Sequence, residues 1–195
     1  MCGRFAQVYD DTKLKEKFRL EDISGRVNPE LNLTPGMKVN TVTFRGEQNI
    51  LHPMIWGFSE LHNKPMPALI FNSRIETILS GSPLGQYLVK HRCIIPLSGF
   101  YERKGDRTFY IQNKDFPILS AAGVFVNDGL KFNCSVVTTD STGSMRKIHS
   151  RMPLLLNDEF SKMWVSVREI EADEMILECG RMAGNLEFNH ENGLF

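Results

Sequence analysis

Three short polar turns built on glycine, each set between two runs of strand-forming residues, constrain this chain more than any other feature. Arg45-Gly46-Glu47 separates Lys38–Phe44 from Asn49–Phe58, Lys104-Gly105-Asp106 separates Tyr101–Arg103 from Thr108–Gln112, and Asn127-Asp128-Gly129 separates Ile118–Val126 from Leu130–Thr139. Glycine reaches the positive φ that tight hairpin turns demand, so each triplet folds its flanking runs back on one another. Further apolar runs at Ala68–Phe71, Arg92–Leu97 and Arg151–Leu156 add to these strands, which are joined mostly as hairpins.

Helical signals lie between and after these runs. In Asp10–Arg19, Leu14 and Phe18 stand four apart on one face, with two aspartates at the start. Ser82-Pro83 offers an N-cap followed by proline at the first helical position, opening a helix to about Lys90. Asn72–Leu79 reads as a helical turn, and Asp158–Val165 and Ile170–Cys179 as helices. Residues 24–37, with the turn Thr34-Pro35-Gly36, and residues 59–67 read as loops. The strand–helix alternation of a doubly wound sheet is missing, as are GxGxxG and P-loop motifs. The expected architecture is α+β: a single domain over 1–195, with an antiparallel β-sheet curled toward a barrel and flanking helices.

Charge narrows the function classes. Lys+Arg and Asp+Glu are both 23, so the formal net charge is zero, which argues against a protein that coats nucleic acid. The distribution is uneven. Residues 166–195 hold seven acidic and two basic side chains, leaving a mildly basic body and an acidic tail. Such a body can hold a local basic cleft. No apolar run approaches the roughly 18 residues that span a bilayer, and MCGRFAQVYDD has no apolar signal core. The chain is expected to be cytoplasmic, without a membrane partner, and monomeric. Its four cysteines, Cys2, Cys93, Cys134 and Cys179, form no CxxC and no zinc-finger spacing. No metal site and no cofactor are expected.

Cys2 is the unusual one. Removal of Met1 would leave it with a free α-amine and a thiol on adjacent carbons. The amine has a reference pKa of about 7.7–8.0 and the thiol of about 8.5, so both are partly nucleophilic near neutrality. An amine and an aldehyde give a Schiff base, and a thiol one carbon away can close on the imine carbon to form a five-membered thiazolidine. A cysteine at position 2 by chance is the alternative.

Three other segments carry candidate chemistry, each with a structural alternative. Asn72-Ser73-Arg74-Ile75-Glu76-Thr77 combines an amide, a guanidinium and a carboxylate, or is a capping box from Ser73 to Glu76. Glu102 follows an apolar run and a glycine, so its carboxyl is either half-buried with a raised pKa or solvent-facing. Ile148-His149-Ser150-Arg151-Met152-Pro153 sets a general acid/base type two residues from a cation, or holds a structural histidine.

Taken together, Met1-Cys2-Gly3-Arg4-Phe5, Leu33-Thr34-Pro35, Trp56-Gly57-Phe58, N-x-R-x-E-T at 72–77, R-C-I-I-P-x-x-G-F-Y-E at 92–102 and I-H-x-R-M-P at 148–153 resemble the SRAP (SOS response-associated peptidase) family. The resemblance spans residues 1–156. It implies covalent protection of abasic sites in single-stranded DNA, the partner to be expected, with nucleoid association when DNA is bound. Cys2 would be the nucleophile through amine and thiol. Asn72 would position the amine and the sugar, Glu102 would relay protons, and His149 would act on the sugar oxygen. Arg4, Arg74 and Arg151 would contact DNA, and Pro35 and Trp56 would pack against bases. Two positions depart from the family pattern: Ser73 replaces its usual alanine, and Arg103 a frequent tryptophan. The 59–67 loop is short, and the acidic segment after Val165 is expected to lie away from DNA. The other functions open to such a chain are a thiol peptidase acting on its own N-terminus and a non-catalytic single-strand binding module.

Overall fold

The computed structural model describes residues 2–61, 64–127, 129, 131–166 and 172–191. It is an α+β domain whose antiparallel sheet curls nearly into a barrel, with helices packed at its flanks. At its centre Leu119–Asn127 pairs with Phe132–Asp140, with Gly123 opposite Val136. Leu119–Asn127 also pairs with Arg92–Leu97 over six registered residues. Arg92–Leu97 is buried along its whole length, which explains why it reads as a continuous apolar run rather than an alternating one. A five-stranded sheet lies against this one, in the order Leu186–His190, Arg107–Asn113, Gly99–Lys104, Phe5–Gln7 and Glu30–Leu33.

The hairpin triplets turn where expected. Gly46 and Gly105 have φ of 64° and 59°, the left-handed region open to glycine. The Asn127–Gly129 turn includes residue 128, which lies outside the described residues. The helix Asp11–Phe18 buries Leu14 and Phe18 and is capped by Asp10, whose side chain accepts from the Lys13 amide. Ser82 likewise caps Pro83–Leu88 by accepting from Gly85 N–H at 3.2 Å. The helices Asp158–Val165 and Ala172–Ala183 stand near the expected positions, residues 170 and 171 lying outside those described.

Several expectations change. Glu30–Leu33, inside the expected loop 24–37, is a strand on Phe5–Gln7, with Leu33 opposite Phe5. The expected loop 59–67 lies largely in a two-stranded ribbon of Phe58–Leu61 and Lys64–Ile70. The run 49–58 is interrupted at His52-Pro53, where proline lacks a ladder donor. Asn72–Arg74 is not helical; it pairs in parallel with Val136–Thr138. The capping box fails with it. Ser73 Oγ meets Ser135 Oγ at 2.6 Å, and the helix Ile75–Leu79 starts without a side-chain cap.

One buried amide ties the N-terminal strand into the core. Gln7 Nε2 donates to Asn40 O at 2.9 Å and to Pro96 O at 2.8 Å, while Gln7 Oε1 accepts from Asn40 N–H at 2.8 Å. A buried amide satisfied on both ends fixes a strand register, because any slip leaves polar atoms unpaired. The register of Phe5–Gln7 in turn sets where Cys2 sits. Among the described residues no helix is long and apolar enough to cross a membrane.

Candidate functional site

The strand Phe5–Gln7 pairs antiparallel with Gly99–Lys104, Phe5 facing Phe100 and the Tyr101 N–H donating to Arg4 O at 2.8 Å. Continuing that register toward the N-terminus brings Cys2 and Gly3 alongside Glu102 and Arg103. Cys2 is fully buried. Burial drives its thiol pKa well above the ordinary range, and the Glu102 carboxylate pushes the same way. The thiol is therefore protonated at rest and needs a base before it can attack.

Asn72 enters from the parallel ladder with Val136–Thr138. Its Nδ2 donates to Cys2 O at 2.8 Å, so the amide grips the cysteine backbone. Its buried Oδ1 accepts nothing among the described residues. A buried carbonyl oxygen without a donor costs about 1–3 kcal/mol, and here it is poised to accept from an N–H on a neighbouring group.

Glu102 is buried on Gly99–Lys104. Desolvation raises its carboxyl pKa, and the electrostatic influence of nearby His149 lowers it in part. His149 is half-buried just before the strand Arg151–Pro153. Its Nδ1 accepts from the Arg151 N–H at 3.0 Å and lies 3.2 Å from Arg151 O. With Nδ1 accepting from the backbone, the neutral ring carries its proton on Nε2. Gly3, Arg4, Tyr101, Glu102, Arg103, Asp106, Thr108 and His149 line a cleft of about 610 Å³. Residues separated by up to about 147 positions in sequence thus meet in one place because Phe5–Gln7, Gly99–Lys104 and Phe132–Asp140 carry or flank them.

The expected DNA-contacting residues divide into two groups. Arg74 is exposed and forms no ion pair among the described residues. Pro35 is half-buried in the turn after Leu33, which leaves Glu30–Leu33 toward the Cys2 end of the sheet. Exposed Met37 follows it, an apolar surface residue that no motif signalled. Arg4 lies with its guanidinium 3.9 Å from the Tyr101 ring centroid, on the rim of the cleft.

Trp56 and Arg151 belong to the interior. Trp56 is completely buried, its ring 4.3 Å from that of Phe5 and its Nε1–H donating to Phe71 O at 2.8 Å. Neither face is open to a base, because the strand Met54–Trp56 is enclosed between Lys38–Val39 and Phe132–Asp140. Arg151 spends its fork on the protein. It binds Glu76 with both η nitrogens at 2.8 and 2.9 Å, Asp140 at 2.7 Å and Thr138 O at 2.7 Å. The Arg151 hydrogen bonds hold the Glu76 carboxyl below its usual range. This cluster joins the helix that follows Asn72–Arg74 to the strand that follows His149, bracing two of the segments that frame the site.

The acidic tail is not remote. The strand Leu186–His190 pairs with Arg107–Asn113, and the Glu191 carboxylate at its end binds Arg4 Nη2. Sequence reasoning missed this residue, because nothing local in Leu186–Glu191 reveals which strand it joins. Among the described residues no group of three or more His, Cys, Asp and Glu side chains could hold a metal ion.

A polar cluster of this kind, built around a cysteine next to the first residue on a curled α+β sheet, defines a class as well as a site. The sequence matches the family described as SOS response associated peptidase (SRAP) over residues 1–189, and the chain belongs to that family. It is 31% identical to the abasic site processing protein YedK of Escherichia coli, over 89% of this chain and 83% of that one. It is 28% identical to the abasic site processing protein YoqW of Bacillus subtilis, over 89% and 84%. A phage-related protein of Bordetella bronchiseptica, known from its crystal structure, shares the fold, with a TM-score of 0.77 at 22% identity over 98% and 94% of the two chains.

Proposed function

We propose that this protein captures abasic sites in single-stranded DNA as a covalent thiazolidine on Cys2, protecting them during DNA damage. The observation that carries this reading is the convergence on Cys2: Asn72 on its carbonyl, Glu102 beside its thiol, and His149 across the same cleft. Relatives named as abasic site processing proteins support it.

Met1 is removed first, freeing the Cys2 amine. The buried Asn72 Oδ1 accepts from that amine and aims it. An abasic sugar equilibrates with a ring-opened aldehyde: as the ring C–O bond breaks, His149 passes a proton to the ring oxygen, and the anomeric hydroxyl, becoming the C=O, gives up the proton that restores it. The amine attacks the aldehyde carbon, the C=O bond breaks, and one water leaves as the imine forms. Glu102 takes the thiol proton, the sulfur adds to the imine carbon, and that proton passes to nitrogen. Two bonds to carbon form and one water is lost, with no change of oxidation state. Arg4 and Arg74 hold phosphates, and Arg103 adds a third cation to the rim. No base need be unstacked, since the lesion has none.

Processing of the chain's own Met1 is compatible with the proposal and precedes the capture step.

The test is a denaturing gel after mixing the protein with single-stranded DNA carrying one abasic site. A heat-stable shifted band that forms without borohydride supports the proposal; its absence from protein that begins at Cys2 rejects it.

Two pH effects follow from Glu102, with opposite signs. Proton abstraction needs the carboxylate, so adduct formation should rise with pH through the raised Glu102 pKa, on a limb above the ordinary value of about 4.3. Glu102→Gln should slow adduct formation by about 100-fold or more and remove that limb. For stability, the folded state holds the Glu102 proton at pH values where the unfolded chain has released it. Folding stability from this group is therefore full at low pH and declines as pH rises from the unfolded to the folded pKa. Glu102→Gln should flatten that decline in urea melts across the window.

A further inference from the structure

The strand Leu186–His190 lays the Glu191 carboxylate on Arg4, the arginine that stands over the cleft beside Cys2. Three contacts hold it there. The Glu191 N–H donates to Thr108 O at 3.0 Å, continuing the ladder in which His190 faces Phe109. Its Oε2 binds Arg4 Nη2, and the Arg4 guanidinium is sandwiched against Tyr101. Thr108, Tyr101 and Arg4 all line the cleft, so Glu191 closes one side of its rim.

The pair is largely removed from water, with the side chains 25% and 13% exposed. Only half of the carboxylate is satisfied. Glu191 Oε1 is buried and accepts nothing among the described residues. A charge-assisted bond that leaves its second acceptor buried and unpaired is weaker than its geometry suggests. A carboxylate on a guanidinium has the charge and acceptor geometry of a phosphodiester on the same group.

We infer that Glu191 is a built-in competitor for the phosphate seat of Arg4, which a DNA phosphate must displace before the strand settles over Cys2. The inference rests on the proposed single-strand binding and deepens it. The net charge of the chain is zero, and here one tail charge directly cancels a binding-site charge. The consequence is selectivity in time: undamaged single strand is held weakly and released, while an abasic strand is kept by the covalent bond. The competitor is a residue of the same chain, so it acts at a high effective concentration that does not depend on dilution.

The test uses an undamaged single-stranded oligonucleotide, which excludes the covalent step, and fluorescence anisotropy across a salt series. Glu191→Gln keeps the shape and the backbone pairing but removes the charge. It should bind about tenfold tighter than the parent chain at low salt, with log Kd changing more steeply with log salt, toward the increment of about 0.7 expected for one added phosphate contact. Glu191→Ala should shift affinity the same way. In an Arg4→Ala background the Glu191→Gln gain should vanish, because the seat it frees is gone. Thermal melts of each variant show whether the fold persists.

Equal affinities for the parent and Glu191→Gln would overturn the competitor while leaving single-strand binding standing. Weaker binding by Glu191→Gln would also overturn it and make Glu191 a residue that positions Arg4. A gain that survives in the Arg4→Ala background would reduce the effect to general charge and overturn the competitor too. No binding by any variant would reject the single-strand reading itself, and the competitor with it.

Discussion

Cys2→Ala should abolish the heat-stable DNA adduct, to below about 1% of the parent yield, while leaving single-strand binding intact. Alanine keeps the α-amine after Met1 removal, so an imine still forms, but no sulfur closes the ring. Borohydride should then restore a band by reducing the imine, and only with borohydride. That pattern separates the amine's role from the thiol's. A non-catalytic binding module predicts no band for either protein under either condition. Removing one buried sulfur leaves a small void, so the folded state should lose only on the order of 1 kcal/mol. Loss of the adduct would therefore report chemistry rather than unfolding. A heat-stable band from Cys2→Ala without borohydride would place the nucleophile elsewhere.

The second large effect is on stability. Trp56→Ala should cost about 3–5 kcal/mol, as truncation of a buried aromatic does. For a domain of this size that lowers Tm by roughly 10 °C or more. The indole is completely buried beneath Phe5, two residues after Gly3, and its N–H satisfies Phe71 O. Its loss opens a cavity under the strand that follows Cys2 and leaves Phe71 O with the Val136 N–H as its remaining donor, at 3.0 Å. Trp56→Phe should sit between the two, retaining the ring but losing the donor, at about 1–3 kcal/mol. A tryptophan that stacked on DNA would behave otherwise. Its removal would leave Tm unchanged and weaken single-strand binding by about 1–3 kcal/mol.

Local chemistry made part of this molecule readable. Leu14 and Phe18 mark a helical face by spacing alone, Ser82 caps by its own hydroxyl, and Gly46 and Gly105 turn because only glycine takes their φ without strain. Cys2, Asn72, Glu102 and His149 stand out because each is a chemistry-bearing side chain beside a strand or turn signal. Their convergence is another matter. It depends on the parallel pairing of Asn72–Arg74 with Val136–Thr138 and on the Gln7 amide, and neither has a local signature.

The differences have the same origin. Glu30–Leu33 looks like a loop because its glutamate and asparagine are poor strand formers, yet Phe5–Gln7 supplies a ladder for it. Ser73 and Glu76 have the spacing of a capping box, but Ser135 and Arg151 offer each a tertiary partner instead. An arginine or a tryptophan in a motif could equally be a ligand contact or a keystone of the fold. Sequence shows the side chain, whereas burial decides what it touches. For Arg151 the answer is Glu76, Asp140 and Thr138, for Trp56 it is Phe5 and Phe71, and for Arg4 it is the acidic tail.

The central claim is that amine and thiol of Cys2 together bond one aldehyde carbon. Intact-mass measurement, before and after incubation with a single-stranded oligonucleotide bearing one abasic site, tests it most directly. The free protein should lack Met1, and the product should weigh that protein plus the oligonucleotide minus one water, stable to heat without reductant. Protein that begins at Cys2 and keeps its free mass after incubation would contradict the claim.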